Sequence, residues 1–88
     1  MTGTGGFRLA RGVRLRLPSD GTPLLLVPEG IVTLNETAAA VLELADGSRT
    51  VETIAEALAD RFDAGPEALE SDVRELLDEF VTRGYVLP

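Results

Sequence analysis

The 88-residue sequence predicts an α+β domain in which a three-stranded antiparallel sheet precedes three helices. Two observations lead to this fold class. Short apolar runs separated by turn residues occupy positions 13–34, and apolar residues at helical spacing occupy positions 36–83. This order is typical of a winged helix-turn-helix-like domain. A chain of this length buries one modest core, so we expect one domain over residues 11–88, preceded by a flexible arm over residues 1–10.

The sheet is predicted from three strands and two turns. The strand at 13–17 alternates apolar residues with arginines, and turn residues at 18–23 lead to a strand at 24–27. A second turn at 28–30 leads to the third strand at 31–34. The middle strand is apolar at all four positions, although an open antiparallel sheet usually has one polar face. Either both faces of this strand are covered, or one face receives a partner.

The first two helices are predicted from capping residues and buried stripes. Asn35 and Thr50 are suitable N-cap residues, and Asp46-Gly47 is expected to end the first helix with Gly47 in the left-handed conformation. Apolar residues at helical spacing predict the buried faces. They are Ala38, Val41, Leu42 and Ala45 in the first helix, and Val51, Ile54, Ala55, Leu58 and Phe62 in the second.

The third helix should begin at Pro66, end at Gly84 and leave 85–88 as a tail. Leu77 and Val81 widen its apolar arc to roughly 140° on one flank. Such an arc fits either a plain core or one wall of a groove, formed by Val73, Leu77 and Val81. An open strand edge beside that wall would bind an incoming peptide strand. The core stripe of this helix is Leu69, Val73, Leu76 and Phe80.

The composition excludes several kinds of chemistry. The sequence has no cysteine, histidine or lysine, which removes disulfides, thiolate and imidazole metal ligands, and Schiff-base amines. Motifs for phosphate binding, dinucleotide binding or a nucleophilic serine are also missing. The six acids of the third helix fit a solvated face better than an acid–base pair. We therefore expect no catalytic residue, no cofactor and no metal.

Charge and hydropathy limit the partners and the compartment. Residues 1–17 carry four arginines and no acid, whereas residues 18–88 carry four arginines and fifteen acids. The net charge of −7 opposes nucleic-acid binding. The two charged regions either meet partners or only favour solubility. No signal peptide is evident, and the longest apolar run is too short to cross a bilayer, so we expect a soluble cytoplasmic protein.

Three segments together resemble the PqqD family. They are residues 25–42 (LLVPEGIVTLNETAAAVL), residues 46–54 (DGSRTVETI) and the end of the third helix, where Leu76-Leu77 is followed by Arg83-Gly84. The resemblance extends over nearly all of residues 9–87. Tyr85 stands where the family favours tryptophan, and Ala45 stands where cysteine is frequent. A related domain from another peptide pathway therefore stays open.

The resemblance implies a peptide chaperone for pyrroloquinoline quinone (PQQ) biosynthesis. PqqD proteins bind the precursor peptide PqqA and deliver it to PqqE, a radical S-adenosylmethionine enzyme that joins a glutamate and a tyrosine of the peptide. Similar domains recognise other modified peptides, including lasso peptides, and their leader lies as an added strand in a groove against the third helix. This implies a peptide site of Ile31, Val32, Thr33, Leu34, Val73, Leu77 and Val81, and we expect Val32 to supply the outward backbone donor.

Other classes are less compatible with the residues. A winged-helix DNA-binding domain would place a third helix of net charge −4 against phosphate. An acyl carrier protein needs a serine at a helix start and would not carry the arginine-rich first strand. A small enzyme lacks the residues for its chemistry. The sequence leaves open whether the domain forms a homodimer.

Overall fold

The protein is described by a computed structural model that places residues 6–88. Eight elements follow one another along this part of the chain. They are β1 (Arg8–Leu9), β2 (Arg14–Arg16), β3 (Leu24–Val27), β4 (Gly30–Thr33), α1 (Glu36–Glu43), α2 (Val51–Phe62), α3 (Pro66–Arg83) and β5 (Val86–Leu87). The predicted sheet and the three predicted helices are all present, and the predicted α+β fold class is confirmed.

The three-stranded sheet is an antiparallel meander with the order β2-β3-β4. Pro28 and Glu29 form the turn between β3 and β4, and the pairing runs without interruption from Val27–Gly30 to Leu24–Thr33. Because successive side chains point to opposite faces, Leu25 and Val27 enter the core while Leu24 and Leu26 face away from it. The apolar run of the middle strand therefore has one covered face and one partly exposed face.

Capping residues define the helix starts as predicted. The Asn35 side chain accepts a hydrogen bond from the Ala38 N–H at 2.7 Å. Thr50 caps α2 and forms a reciprocal capping box with Thr53. Pro66 occupies the first turn of α3, where its missing N–H would have no helical partner.

The helix ends agree with prediction in α3 and differ in α1. Gly84 follows α3 with φ of 85°, a left-handed conformation that glycine adopts without a Cβ clash. In contrast, α1 ends at Glu43, and Leu44 caps it in a right-handed conformation. Gly47 does have a positive φ of 93°, but it lies in the following loop. The predicted end of α1 at Asp46-Gly47 is therefore too late.

The two ends of the described chain pair with each other, which the sequence did not predict. β1 and β5 form a two-stranded antiparallel sheet, in which Arg8 lies opposite Leu87. The Gly47 N–H also donates to the Phe7 carbonyl oxygen at 2.8 Å, and the Phe7 N–H donates to the Arg49 carbonyl oxygen at 3.2 Å. Residues 7–10 thus have backbone partners where a flexible arm was expected. Residues 1–5 of that arm lie outside the described residues, and the domain boundary at residue 11 stays a prediction.

The core lies between the inner face of the sheet and the three helices. Its largest fully buried side chains come from β3, all three helices and β5, and the predicted buried stripes of α1 and α2 contribute to it. Phe62 is the exception, because it is only half-buried at the end of α2. Among residues 6–88, no helix is long and apolar enough to cross a membrane.

Candidate peptide groove

One edge of the three-stranded sheet is open along β4. β4 pairs with β3 on one side, and no described strand lies on its other side. The Leu34 N–H donates to the Pro23 carbonyl oxygen at 3.0 Å, so residue 34 points its backbone groups toward β3. Since inward and outward backbone groups alternate in an antiparallel pair, Val32 also points inward, while Ile31 and Thr33 point outward. The outward donors at this edge are Ile31 and Thr33, and the expectation for Val32 is wrong.

A groove of about 350 Å³ lies between this edge and α3. Its floor is apolar, because Leu34, Ala38 and Phe80 are almost fully buried beneath it. Val32 and Leu76 are half-buried and form its two facing walls. The groove can therefore accept an apolar side chain from a segment that lies along β4.

The rim of the groove is polar. Thr33 and Asn35 are exposed on the sheet side, and Glu79 and Arg83 are exposed on the helix side. The Arg83 guanidinium forms an ion pair with the Glu79 carboxylate at 2.8 Å. Both partners are about half exposed, so water screens the pair and its contribution to stability is small. The Arg83 guanidinium can exchange this partner for a carboxylate of an incoming peptide.

The structure brings together only part of the predicted site. Val32, Thr33 and Leu34 of that prediction line the groove. Ile31 lies at the same edge, but its side chain is 64% exposed and lies outside the lining. Its backbone groups still face the open edge, so its place in the site is through the main chain.

The predicted helical wall lies elsewhere. Val73 and Leu77 are 0% exposed and belong to the core, and Val81 is half-buried outside the groove lining. α3 has its most extensive packing against α2; Val73 and Leu77 lie within the core, whereas Val81 packs against its edge. The flank that faces the groove instead carries Leu76, Glu79, Phe80 and Arg83.

The missed groove residues do have a signal in the sequence. Leu76, Phe80 and Arg83 follow one another at spacings of four and three, and therefore lie on one helical face. Asn35 and Ala38 were identified only as a cap and a core residue. No group of three or more His, Cys, Asp or Glu side chains within residues 6–88 is arranged to hold a metal ion.

Comparison with known proteins identifies the family of a chain with this fold and groove. The family profile for "Coenzyme PQQ synthesis protein D (PqqD)" matches residues 24–86. The matched region includes β3, β4, all three helices and every residue of the groove lining. This chain belongs to the PqqD family.

Two relatives of this PqqD-family domain are both named "PqqA binding protein". The one from Methylococcus capsulatus is 43% identical over 63 residues, which cover 72% of this chain and 66% of the relative. The one from Rhizobium meliloti is 37% identical over 84 residues, covering 94% of this chain and 86% of the relative. The alignment with the Methylococcus protein thus leaves about a third of that protein unmatched.

Two solved structures share the fold. The PqqD truncation of Methylobacterium extorquens PqqCD, described as a stand-alone recognition element for ribosomally synthesized and post-translationally modified peptides, superimposes with a TM-score of 0.82 at 36% identity. The match covers 100% of this chain and 95% of that one. The lasso peptide synthetase B1 complexed with its leader peptide superimposes with a TM-score of 0.77 at 24% identity, over 94% of this chain and 99% of that one. The second likeness supports the fold alone.

Proposed function

We propose that this domain is a non-catalytic peptide chaperone of the cytoplasm. It binds a PqqA-like precursor peptide as a strand added to β4 and presents the peptide to a PqqE-like radical S-adenosylmethionine enzyme. The observation that carries the proposal is the open edge of β4 beside an apolar groove. The family membership and the names of the two relatives support a PqqA-like peptide as the ligand.

The backbone of β4 supplies the affinity in this proposal. Ile31 and Thr33 each offer an N–H and a C=O toward the open edge, and an extended peptide pairs with both residues. Each such hydrogen bond contributes about 0.5–1.5 kcal/mol net. Several bonds of this size add up to binding without selecting a sequence, because every peptide has the same main chain.

The groove supplies the selectivity. Alternate side chains of an added strand point to the same face, so every second peptide residue enters the space between Val32 and Leu76. The floor of Leu34 and Phe80 favours an apolar residue there. A peptide carboxylate that lies at the rim of the groove can pair with Arg83. This suits a precursor peptide that contains glutamate.

Hydrogen exchange tests the strand addition directly. In the free domain, the amides of Ile31 and Thr33 should exchange quickly, while the amide of Val32 is already protected by β3. A saturating amount of synthetic PqqA-like peptide should slow exchange at Ile31 and Thr33 by up to ~100-fold at a hundred times the dissociation constant. Val32, whose amide already points to β3, provides the contrast in the free domain, where its exchange should be slow while that of its two neighbours is fast. Binding without added protection at Ile31 and Thr33 would place the peptide elsewhere.

Mass spectrometry tests the absence of catalysis. Peptide incubated with the domain alone should keep its mass, and a covalent change would contradict the proposal. A lasso-type leader peptide in the same titration tests the alternative pathway. Tighter binding of that leader than of the PqqA-like peptide would assign the domain to a different precursor.

A further inference from the structure

The sheet has a second exposed face, which points away from the core, and Thr33 at its edge also borders the groove. Residues that lie directly opposite each other in neighbouring strands point to the same side of a sheet. The register therefore aligns Arg14 with Leu26 and Ile31 in one row, and Arg16 with Leu24 and Thr33 in the next. We call these six residues the outer sheet face.

The outer sheet face is more apolar than a solvated surface requires. Ile31 is 64% exposed, the largest value among the large apolar side chains identified as exposed within residues 6–88. Leu24 and Leu26 are half-buried, yet neither belongs to the core or to the side chains packed against it. The adjacent inner-face residues Leu15 and Val32, in contrast, both pack on the core. Three large apolar residues of β3 and β4, spread over the two rows, are thus left without a core partner.

The same face carries cations without counter-charges. Arg14 and Arg16 are exposed, and neither takes part in an ion pair with any residue in 6–88. The four arginines that follow residue 17 (Arg49, Arg61, Arg74 and Arg83) each pair with at least one carboxylate. In a chain with a net charge of −7, the arginines of β2 are therefore positive groups that lack partners in the described part of the molecule.

We infer that the outer sheet face docks a folded protein that presents carboxylates beside apolar side chains. We identify this partner as the peptide-modifying enzyme, an identification that rests on the proposed function. The carboxylates pair with Arg14 and Arg16, and the apolar groups cover Leu24, Leu26 and Ile31. Charge complementarity of this kind steers association and fixes the docking orientation.

The position of the face links enzyme docking to peptide binding. A peptide strand added to β4 extends the sheet, so the peptide side chains that point away from the groove lie beside Ile31 and Thr33. An enzyme on the outer sheet face therefore contacts the domain and every second residue of the peptide together. Such an enzyme binds the loaded domain more tightly than the free one.

Other occupants fit less well. The acidic residues of a second copy lie mainly on its helices, so contact with the sheet would join two different surfaces, and such a heterologous contact generally extends into rings or filaments instead of a two-fold dimer. The net charge of −7 opposes both nucleic acid and an anionic lipid surface. A partner protein with an acidic docking surface meets neither objection.

The test uses two double charge reversals in the full chain. R14E/R16E changes the outer sheet face, and the matched control R61E/R74E makes the same charge change on α2 and α3. The probes are a PqqE-like radical S-adenosylmethionine enzyme and a synthetic PqqA-like peptide, each titrated separately and together. R14E/R16E should weaken enzyme binding tenfold or more while peptide affinity and melting temperature stay close to those of the parent chain. The control should bind the enzyme within about twofold of the parent.

Leu26→Ser tests the apolar part of the face, because Leu26 lies on β3 and takes no part in the proposed pairing with the peptide. It should weaken enzyme binding at least threefold with peptide affinity nearly unchanged. Equal enzyme affinity for the parent and R14E/R16E would overturn the inference, as would the absence of enzyme binding by the parent. Self-association of the parent that R14E/R16E removes would assign the face to a second copy and also overturn it. Failure of the peptide to bind the parent would instead refute the proposed function.

Discussion

The two flanks of α3 differ in what covers them. On one flank, Val73 and Leu77 are fully buried, and the helix packs extensively against α2. On the other flank, Leu76 remains half-buried at the wall of a groove, and the exposed Glu79 and Arg83 form its rim. Leu76 and Leu77 are adjacent residues of the same type, so residue type alone does not separate the flanks. The difference shows that the function of an apolar residue on this helix depends on whether another element covers it.

The largest effect should come from a charge on the covered flank. Leu77→Asp places a carboxylate where no water and no partner reaches it, which should cost at least ~3 kcal/mol of unfolding free energy. Leu76→Asp should cost only about 1 kcal/mol, because the carboxylate can reach water through the groove. Chemical denaturation measures both values, and calorimetry should show a tenfold or greater loss of peptide affinity for Leu76→Asp. Equal destabilisation by the two substitutions would remove the distinction between the flanks.

A second difference is expected between adjacent residues of β4, the wall that faces α3. Val32→Pro removes an N–H that points to β3 and should destabilise the fold by about 1–3 kcal/mol. Thr33→Pro removes an N–H that points to the open edge, so the domain should stay folded and lose about tenfold in peptide affinity. Thr33→Ala is the control for the lost side chain. If Thr33→Pro binds peptide as well as Thr33→Ala does, the strand addition is refuted.

The ion pair at the groove rim should contribute little to stability. Glu79→Ala and Arg83→Ala should each change the free energy of unfolding by less than about 0.5 kcal/mol, since exposed pairs four residues apart are weak. Their effects on peptide binding should differ in sign for a peptide with a glutamate at the rim. Arg83→Ala should weaken binding, and Glu79→Ala should strengthen it because Arg83 then has no competing partner. Identical effects of both substitutions on affinity would exclude a direct contact between Arg83 and the peptide.

The smallest effect should come from Asp46, which lies away from both flanks. Hydrogen bonds from the Ser48 side chain and backbone, with a smaller effect of Arg49, lower the pKa of the Asp46 carboxyl. The stabilisation by its charge is therefore present above the pKa of an unfolded aspartate and is lost as the pH falls through the folded pKa. Asp46→Asn should lower the melting temperature by at most about 2 °C at neutral pH, and the difference should vanish in acid. A change in peptide affinity would show that the loop influences the groove.

The sequence predicted the positions of the strands and helices better than it predicted what packs against them. Turn residues and caps such as Asn35, Thr50 and Gly84 act locally, so they place the strands and helices without tertiary information. The apolar arc of α3 does not reveal which of its sides is fully covered, and for that reason Leu77 instead of Leu76 was predicted to line the groove. Nor does a strand sequence reveal which backbone N–H groups point to the neighbouring strand and which point outward. The register with β3 decides this at Val32 and Thr33. β1 and β5 escaped prediction because two residues are too few to show a period.

The pairing of β1 with β5 has a consequence for the order of folding. Arg8 and Leu87 meet across nearly the whole sequence, whereas β2, β3 and β4 are joined by short turns. The loop-closure entropy of joining two segments grows with the chain length between them, so short-range pairs form more readily. We expect the meander and the helices to associate first and the terminal strands to pair last. A molecule in which β1 and β5 have separated would therefore still hold the open edge of β4 against α3.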